Sequence, residues 1–184
     1  MRSWWGELRG HWVLAVLVLV TVLASAVLVL DLNRADSSTG QSPSVQNLAA
    51  FGEVPAVVRA ADGSERVLCL LKADTAALRE RGLMTVTDPN LNGYDGMLFM
   101  YASDTTGAFW MRNTPMPLSL AYLNASGQIV STVDMEPCAD SDQCPVYPPA
   151  GPYRYSLEVP QGGLSDIGLT GGATLTPGDG ECEH

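Results

Sequence analysis

Basic residues are scarce in this chain: 10 Lys and Arg stand against 20 Asp and Glu in 184 residues, and Lys72 is its one lysine. A grip on phosphate backbones needs clustered cations, so the composition argues against nucleic acid as a partner. Histidine is scarcer still, with His11 and His184 near the two ends. No interior imidazole is available to a serine–histidine or cysteine–histidine machine, or to a histidine metal cage. With no catalytic set in view, the chain is read as non-enzymatic, with no catalytic residues, no metal ligands and no cofactor. What is abundant is apolar: 46% of residues are hydrophobic and 16% charged, which excludes a wholly disordered chain. The length suits one ordinary domain with an appendage.

That appendage is the amino-terminal run. Trp12 to Leu30 is 19 residues without a charge, rich in Val and Leu. As a helix rising about 1.5 Å per residue it nearly matches a hydrocarbon core roughly 30 Å thick. Trp4, Trp5 and Trp12 stand at its start, where indoles favour the headgroup region. Arg2 and Arg9 precede the run and Arg34 follows it, which favours a cytoplasmic amino terminus by the positive-inside rule. The rival reading is a cleaved secretory signal ending at Ala24-Ser25-Ala26, against which Val27-Leu28-Val29-Leu30 prolong the apolar run. The expectation is a retained single-pass anchor in a prokaryotic cell membrane (residues 1–30, with 12–30 in the bilayer). A polar linker over 31–52 and an extracytoplasmic domain over 53–184 follow. Residues 31–184 carry 8 bases and 19 acids, a net charge of −11. Such a surface stays soluble and repels anionic lipid; its sharper use is docking on a basic protein surface.

Beyond the linker, apolar runs alternate with turn signals, the pattern of an all-β domain. Val54 to Val58 suggests an extended lead-in, and Arg66–Leu71 a buried strand. Asp74 is placed to cap a short helix over Thr75–Arg81, closed by Gly82. Further strands are expected at Gly96–Tyr101, Ala108–Arg112, Leu118–Leu123, Gln128–Val133, Tyr153–Val159 and Ala173–Thr176. Asn124-Ala-Ser-Gly127 reads as a hairpin turn. The sum is a β-sandwich or jelly-roll-like domain with one short helix, preceded by a single transmembrane helix.

Four cysteines in an exported chain favour disulfides over metal thiolates. Cys138 and Cys144 bracket an acidic loop and are expected to bridge. Cys69 and Cys182 are the second pair the sequence allows, and their joining stays open at this point. Six of the seven methionines fall between Met84 and Met135. Thioethers suit Cu(I), but Met97 and Met100 sit in an alternating apolar strand and read first as core. Glu158 lies among strand apolars and needs a partner if it faces inward; Arg154 and Arg112 are the candidates. With Glu136 or Asp134 it is also a conceivable glycosidase-type carboxylate pair.

Several stretches together resemble a functionally unassigned prokaryotic family, the domain of unknown function 192. They are Arg81-Gly-Leu-Met84, Gly96-Met-Leu-Phe99, Phe109-Trp-Met-Arg-Asn-Thr-Pro115 with Pro117-Leu118, Met135-Glu-Pro-Cys138, Cys144-Pro-Val-Tyr147 and Arg154-Tyr-Ser-Leu-Glu-Val159. The resemblance spans about Val67 to Leu175 and implies a β-sandwich or jelly-roll-like domain, usually exported or anchored, with no established reaction. Thr85-Val86 and Ser119 depart from the family pattern, which has an aromatic and an arginine at the first place and aspartate at the second. The candidate binding surface is Trp110, Arg112, Asn113 and Thr114, with Arg154 and Glu158. An aromatic plate beside a guanidinium and amides can take a sugar or a peptide. The opposing reading buries Trp110 in the core and gives Asn113 to turn amides. The functional expectation is a membrane-tethered binding domain, as an accessory subunit of a larger membrane complex. A carbohydrate-binding or carbohydrate-active envelope domain and a Cu(I)-handling domain are its alternatives.

Overall fold

The computed structural model describes residues 48–182. The apolar run at 12–30, the Ala24-Ser25-Ala26 site and the polar stretch up to Gln46 lie outside the described residues. Among the described residues no helix is long and apolar enough to cross a membrane.

The described residues form nine strands: β1 (Gly52–Arg59), β2 (Glu65–Ala73), β3 (Gly96–Thr105), β4 (Phe109–Trp110), β5 (Leu118–Leu123), β6 (Ile129–Met135), β7 (Val146–Tyr147), β8 (Tyr153–Pro160) and β9 (Thr174–Pro177). Two short helices, α1 (Ala76–Arg81) and α2 (Gly163–Asp166), join them, with a 3-10 turn at Leu91–Gly93. The domain is therefore mostly β, as expected. Its packed part begins earlier than the expected boundary, because Leu48 and Phe51 are buried in the core. The lead-in is a full strand, with eight register pairs between β1 and β2.

Seven strands hydrogen-bond as one sheet in the order β6-β5-β8-β3-β2-β1-β9, and β4 with β7 forms a separate ribbon. This is one continuous sheet rather than the two facing sheets of a sandwich. It curls so far that its ends meet: Gln128, beside β6, bridges Thr174 of β9, and the Leu175 amide donates to the Gly127 carbonyl at 2.9 Å. The contact is so close that a Cβ at Gly127 would lie 1.9 Å from the Leu175 carbonyl oxygen, and Gly127 also has φ +74°. Local sequence reveals the turn Asn124–Gly127, whose side-chain and backbone bonds are all present. It does not reveal that the turn also closes the sheet.

The two faces carry two apolar layers. Val54, Ala56, Leu68, Leu70, Leu98 and Leu157 pack on one face. Leu71, Ala73, Met97, Phe99, Leu120 and Tyr122 pack on the other. All six residues of β5 are buried, as for a strand covered on both sides. Met97 and Phe99 share the second layer while Leu98 lies in the first, as alternation requires. Met111, Met116 and Met135 join Met97 as buried filling of that second layer. Met100 packs on the opposite face.

β2 and β3 run parallel, so the chain crosses over between them, and α1 lies on that crossover. Thr75, not Asp74, caps α1: its hydroxyl accepts from the Leu78 amide at 3.3 Å. Asp74 instead offers its carbonyl to Arg79 and its carboxylate to Lys72. Both disulfides exist, Cys138–Cys144 and Cys69–Cys182, the latter joining β2 to the carboxy-terminal stretch.

Candidate functional site

The register of the three neighbouring strands decides where Glu158 points. On β8 it lies opposite Met97 of β3 and Leu120 of β5, both in the second apolar layer. Cross-strand partners share a face, so the carboxyl projects into that layer. The strands approach closely here, and a Cβ at Gly96 would lie 2.5 Å from the Glu158 carbonyl oxygen. Glu158 is 4% exposed and makes no hydrogen bond or ion pair with any described residue. Burial pushes its carboxyl up to about 8, because the charged form loses its hydration.

A cleft of about 320 Å³ opens above it, between α1 with its C-cap Gly82 on one side and β3 and β4 on the other. Tyr101, Phe99, Phe109 and Trp110 supply its aromatic walls, Thr114 and Met84 its remaining flank, and Arg79, Glu80 and Arg81 its charged rim. The walls are stiff. Phe99, Phe109, Tyr122, Tyr153 and Tyr101 follow one another edge to face, with ring centroids 4.7–5.7 Å apart. Tyr122 donates its hydroxyl to the Tyr147 carbonyl, and Tyr153 donates to the Gly107 carbonyl at 2.9 Å. Burial raises the hydroxyl pKa of Tyr101, Tyr122 and Tyr153. All three stay neutral over the ordinary pH range.

Arg79 is fixed by Nη1, which donates to the carbonyls of Asp74 (2.6 Å) and Met100 (2.9 Å), while its guanidinium lies 4.7 Å from the centre of the Tyr101 ring. It has no carboxylate partner among the described residues. That is unusual in this domain, where Arg59, Arg66, Lys72, Arg112 and Arg154 all pair with acids.

Of the residues singled out in the sequence, Trp110, Thr114 and Glu158 meet in this cleft. Trp110 is 46% exposed, so it presents its indole rather than filling the core. Arg112 stands beside Trp110 in a neighbouring depression and is clasped by Asp140 (2.5 Å) and Asp142 (2.8 Å) of the Cys138–Cys144 loop. Arg154 pairs with Asp104 at 2.8 Å and lies outside the cleft. Neither arginine partners Glu158, which corrects the expected ion pair. Each has exposed carboxylates nearer to hand, and the neighbours of Glu158 on its sheet face, Met97, Leu120, Tyr122 and Ser156, include no cation. Asn113 is exposed, with φ +57°, and its carbonyl accepts from the Thr85 amide at 2.7 Å, the conduct of a turn residue.

The glycosidase-type pair is also corrected. Asp134 lies opposite Ser119, whose other neighbour is Val159, so Asp134 and Glu158 occupy opposite faces of the sheet. Glu136 accepts from Gln161 at 3.3 Å and does not line the cleft. Ser119 points the same way as Asp134, donating to it and accepting from the Gly162 amide at 2.9 Å, so this departure from the family pattern leaves the cleft untouched. A cation cluster of Glu53, Cys69 and Cys182 is ruled out by its own chemistry, since both sulfurs are joined in a disulfide. Arg79, Glu80, Arg81 and Tyr101 were missed as site residues. The motif Arg81-Gly-Leu-Met84 signalled the place, but nothing in it shows that α1 folds over β3.

The arrangement defines a class: a curled single-sheet β domain with a small, aromatic-walled cleft over a buried acid. The family model for domain of unknown function 192, described as uncharacterized ACR, matches residues 57–177, and the chain belongs to that family. No curated protein matches it. Among solved structures it is similar to a protein of Sinorhizobium meliloti 1021 provisionally described as a transcription regulator. That match has 24% identity and a TM-score of 0.58, over 69% of this chain and 95% of that one, and it bears on fold alone. A protein of unknown function from Novosphingobium aromaticivorans DSM 12444 is similar at 25% identity and TM-score 0.55, over 67% of this chain and 84% of that one.

Proposed function

We propose that the protein is a membrane-tethered extracytoplasmic binding domain of a prokaryotic envelope, held by residues 12–30 and taking its ligand in the Glu158 cleft. The single observation that carries the binding reading is the Glu158 carboxyl: buried, unpartnered and facing an open cleft, it is costly to keep unless something is bound there. The reading is non-enzymatic because the sequence offers no interior histidine and no recognised catalytic set. The apolar run, the two disulfides and the net charge of −11 beyond residue 30 support the tethered, extracytoplasmic part. An accessory subunit of a larger membrane complex is the version these features favour. Cross-linking of the full chain in native membranes, extraction in mild detergent and mass spectrometry test it. The expected result is a reproducible membrane or envelope partner; recovery solely as a free monomer overturns the subunit version. Proteolysis of intact right-side-out spheroplasts tests the topology, with digestion of the domain expected and protection of it contrary.

A second reading is carbohydrate binding, favoured by the exposed Trp110 face at the mouth of the same cleft. Glycan binding by the full chain, lost in Trp110→Ala and weakened in Glu158→Gln, is its expected signature. The Cu(I) reading draws less support, because Met97, Met111, Met116 and Met135 are buried in the apolar layer. Equilibrium dialysis of the reduced full chain with Cu(I) tests it, and no binding at micromolar metal removes it.

A further inference from the structure

We propose that the cleft is built for a zwitterion of amino-acid size, its ammonium on Glu158 and its carboxylate on Arg79; this rests on the cleft being the ligand seat. A guanidinium and a buried carboxyl share one cleft and do not pair. Arg79 is immobilised through Nη1 alone, and its Nε and Nη2 make no hydrogen bond with described residues. Glu158 likewise has no partner among the described residues, and burial pushes its carboxyl up. Tyr101 lines the same cleft, its ring 4.7 Å from the Arg79 guanidinium. Arg79 and Glu158 both line that cleft, and no hydrogen bond or ion pair among the described residues joins them.

A simple anion would find Arg79 but leave the buried acid unmatched. A simple cation would find Glu158 but approach past Arg79 and Arg81. A ligand carrying both charges satisfies both ends. The volume of about 320 Å³ is at the small end for ligand sites and has room for about ten non-hydrogen atoms, taking about 30 Å³ for each. The Phe99, Phe109 and Met84 walls suit an apolar side chain. A free amino acid and the paired termini of a short peptide share this chemistry, and the probes below separate them.

The charged and titratable groups around the Glu158 carboxyl are Tyr101 and Tyr122 from the sheet, with Arg79, Glu80 and Arg81 of α1 lining the same cleft. At neutral pH the empty site holds Glu158 protonated, so an incoming ammonium displaces that proton to the buffer. Isothermal titration of the full chain in mild detergent, in buffers of differing ionisation heat, reads this directly. The probes are L-leucine, the dipeptide Ala-Ala, N-acetyl-L-leucine, L-leucine methyl ester and methyl β-glucoside. Leucine, or the dipeptide if the spacing is longer, is expected to bind with release of nearly one proton per site at pH 7. Removing either ligand charge weakens binding at least tenfold. Leucine affinity falls about tenfold from pH 7 to pH 6, where the ligand keeps its own charges and the ionised fraction of Glu158 drops. Glu158→Gln abolishes the proton release and makes leucine and N-acetyl-leucine equivalent; circular dichroism checks its fold, and the wild-type pH series stands without it. Equal binding of leucine and N-acetyl-leucine to the wild type overturns the proposal. Binding of the glucoside with no zwitterion bound also overturns it but leaves the cleft as a ligand seat. No heat from any probe, with cross-links unchanged in Trp110→Ala, removes both.

Discussion

At the scale of single residues, the governing fact is one carboxyl without company. Its folded-state proton affinity lies above that of an unfolded chain, so the native state holds a proton that the unfolded state releases between about pH 4.5 and 8. Across that window native stability falls as pH rises, by about 1.4 kcal/mol per pH unit from this group, and the loss is complete above about 8. Urea denaturation of wild type and Glu158→Gln at pH 5 to 9 checks this. The Gln variant is expected to gain on the wild type steadily up to pH 8 and to hold its lead thereafter. The strand position of Glu158, and its need for a partner if it faces inward, are legible in the sequence. The expected partners Arg154 and Arg112 follow from a guanidinium's bidentate fit to a carboxylate, which is all that residue type alone can offer. The acids that claim those arginines, Asp104, Asp140 and Asp142, sit on other segments and are met only after folding.

At the scale of elements, most strands were legible because alternation and turn chemistry are local. β5 falls on the expected residues, and β3 shows the expected two-faced pattern. β7 was missed because a two-residue ribbon partner has no period to read. α1 was found with its closing Gly82, yet its cap was misassigned by one residue, since Asp74 and Thr75 are both good capping types. Thr75→Ala is expected to cost about 1 kcal/mol and Asp74→Ala distinctly less, as measured by urea midpoints at constant slope. Because α1 forms one wall of the cleft, the Thr75 variant should also weaken any ligand that contacts Arg79.

At the scale of the whole molecule, what the sequence could not disclose is which strands meet. The parallel β2–β3 pair and the meeting of the sheet's ends are non-local, and a sandwich was the reasonable guess from local strands alone. Gly127→Ala tests the closure: its side chain has no room against Leu175, so hydrogen exchange at the Leu175 amide is expected to speed up well beyond that of β5. The Cys69–Cys182 bridge spans 113 residues and the Cys138–Cys144 bridge 6. On the chain-entropy estimate their removal costs about 5 and about 2 kcal/mol respectively. Paired serine variants, compared by urea denaturation, should rank in that order, and the shorter loop's loss should loosen Arg112 as well. Placement of β1 has a mechanical consequence. Although it is the first strand, it is not a border strand: β2 flanks it through eight residue pairs and β9 through four. Tension pulled in through the amino-terminal side first loads Gly52–Pro55, which β2 alone holds, and from Ala56 onward it has to break two ladders together, so the second half of the strand is the mechanical stop.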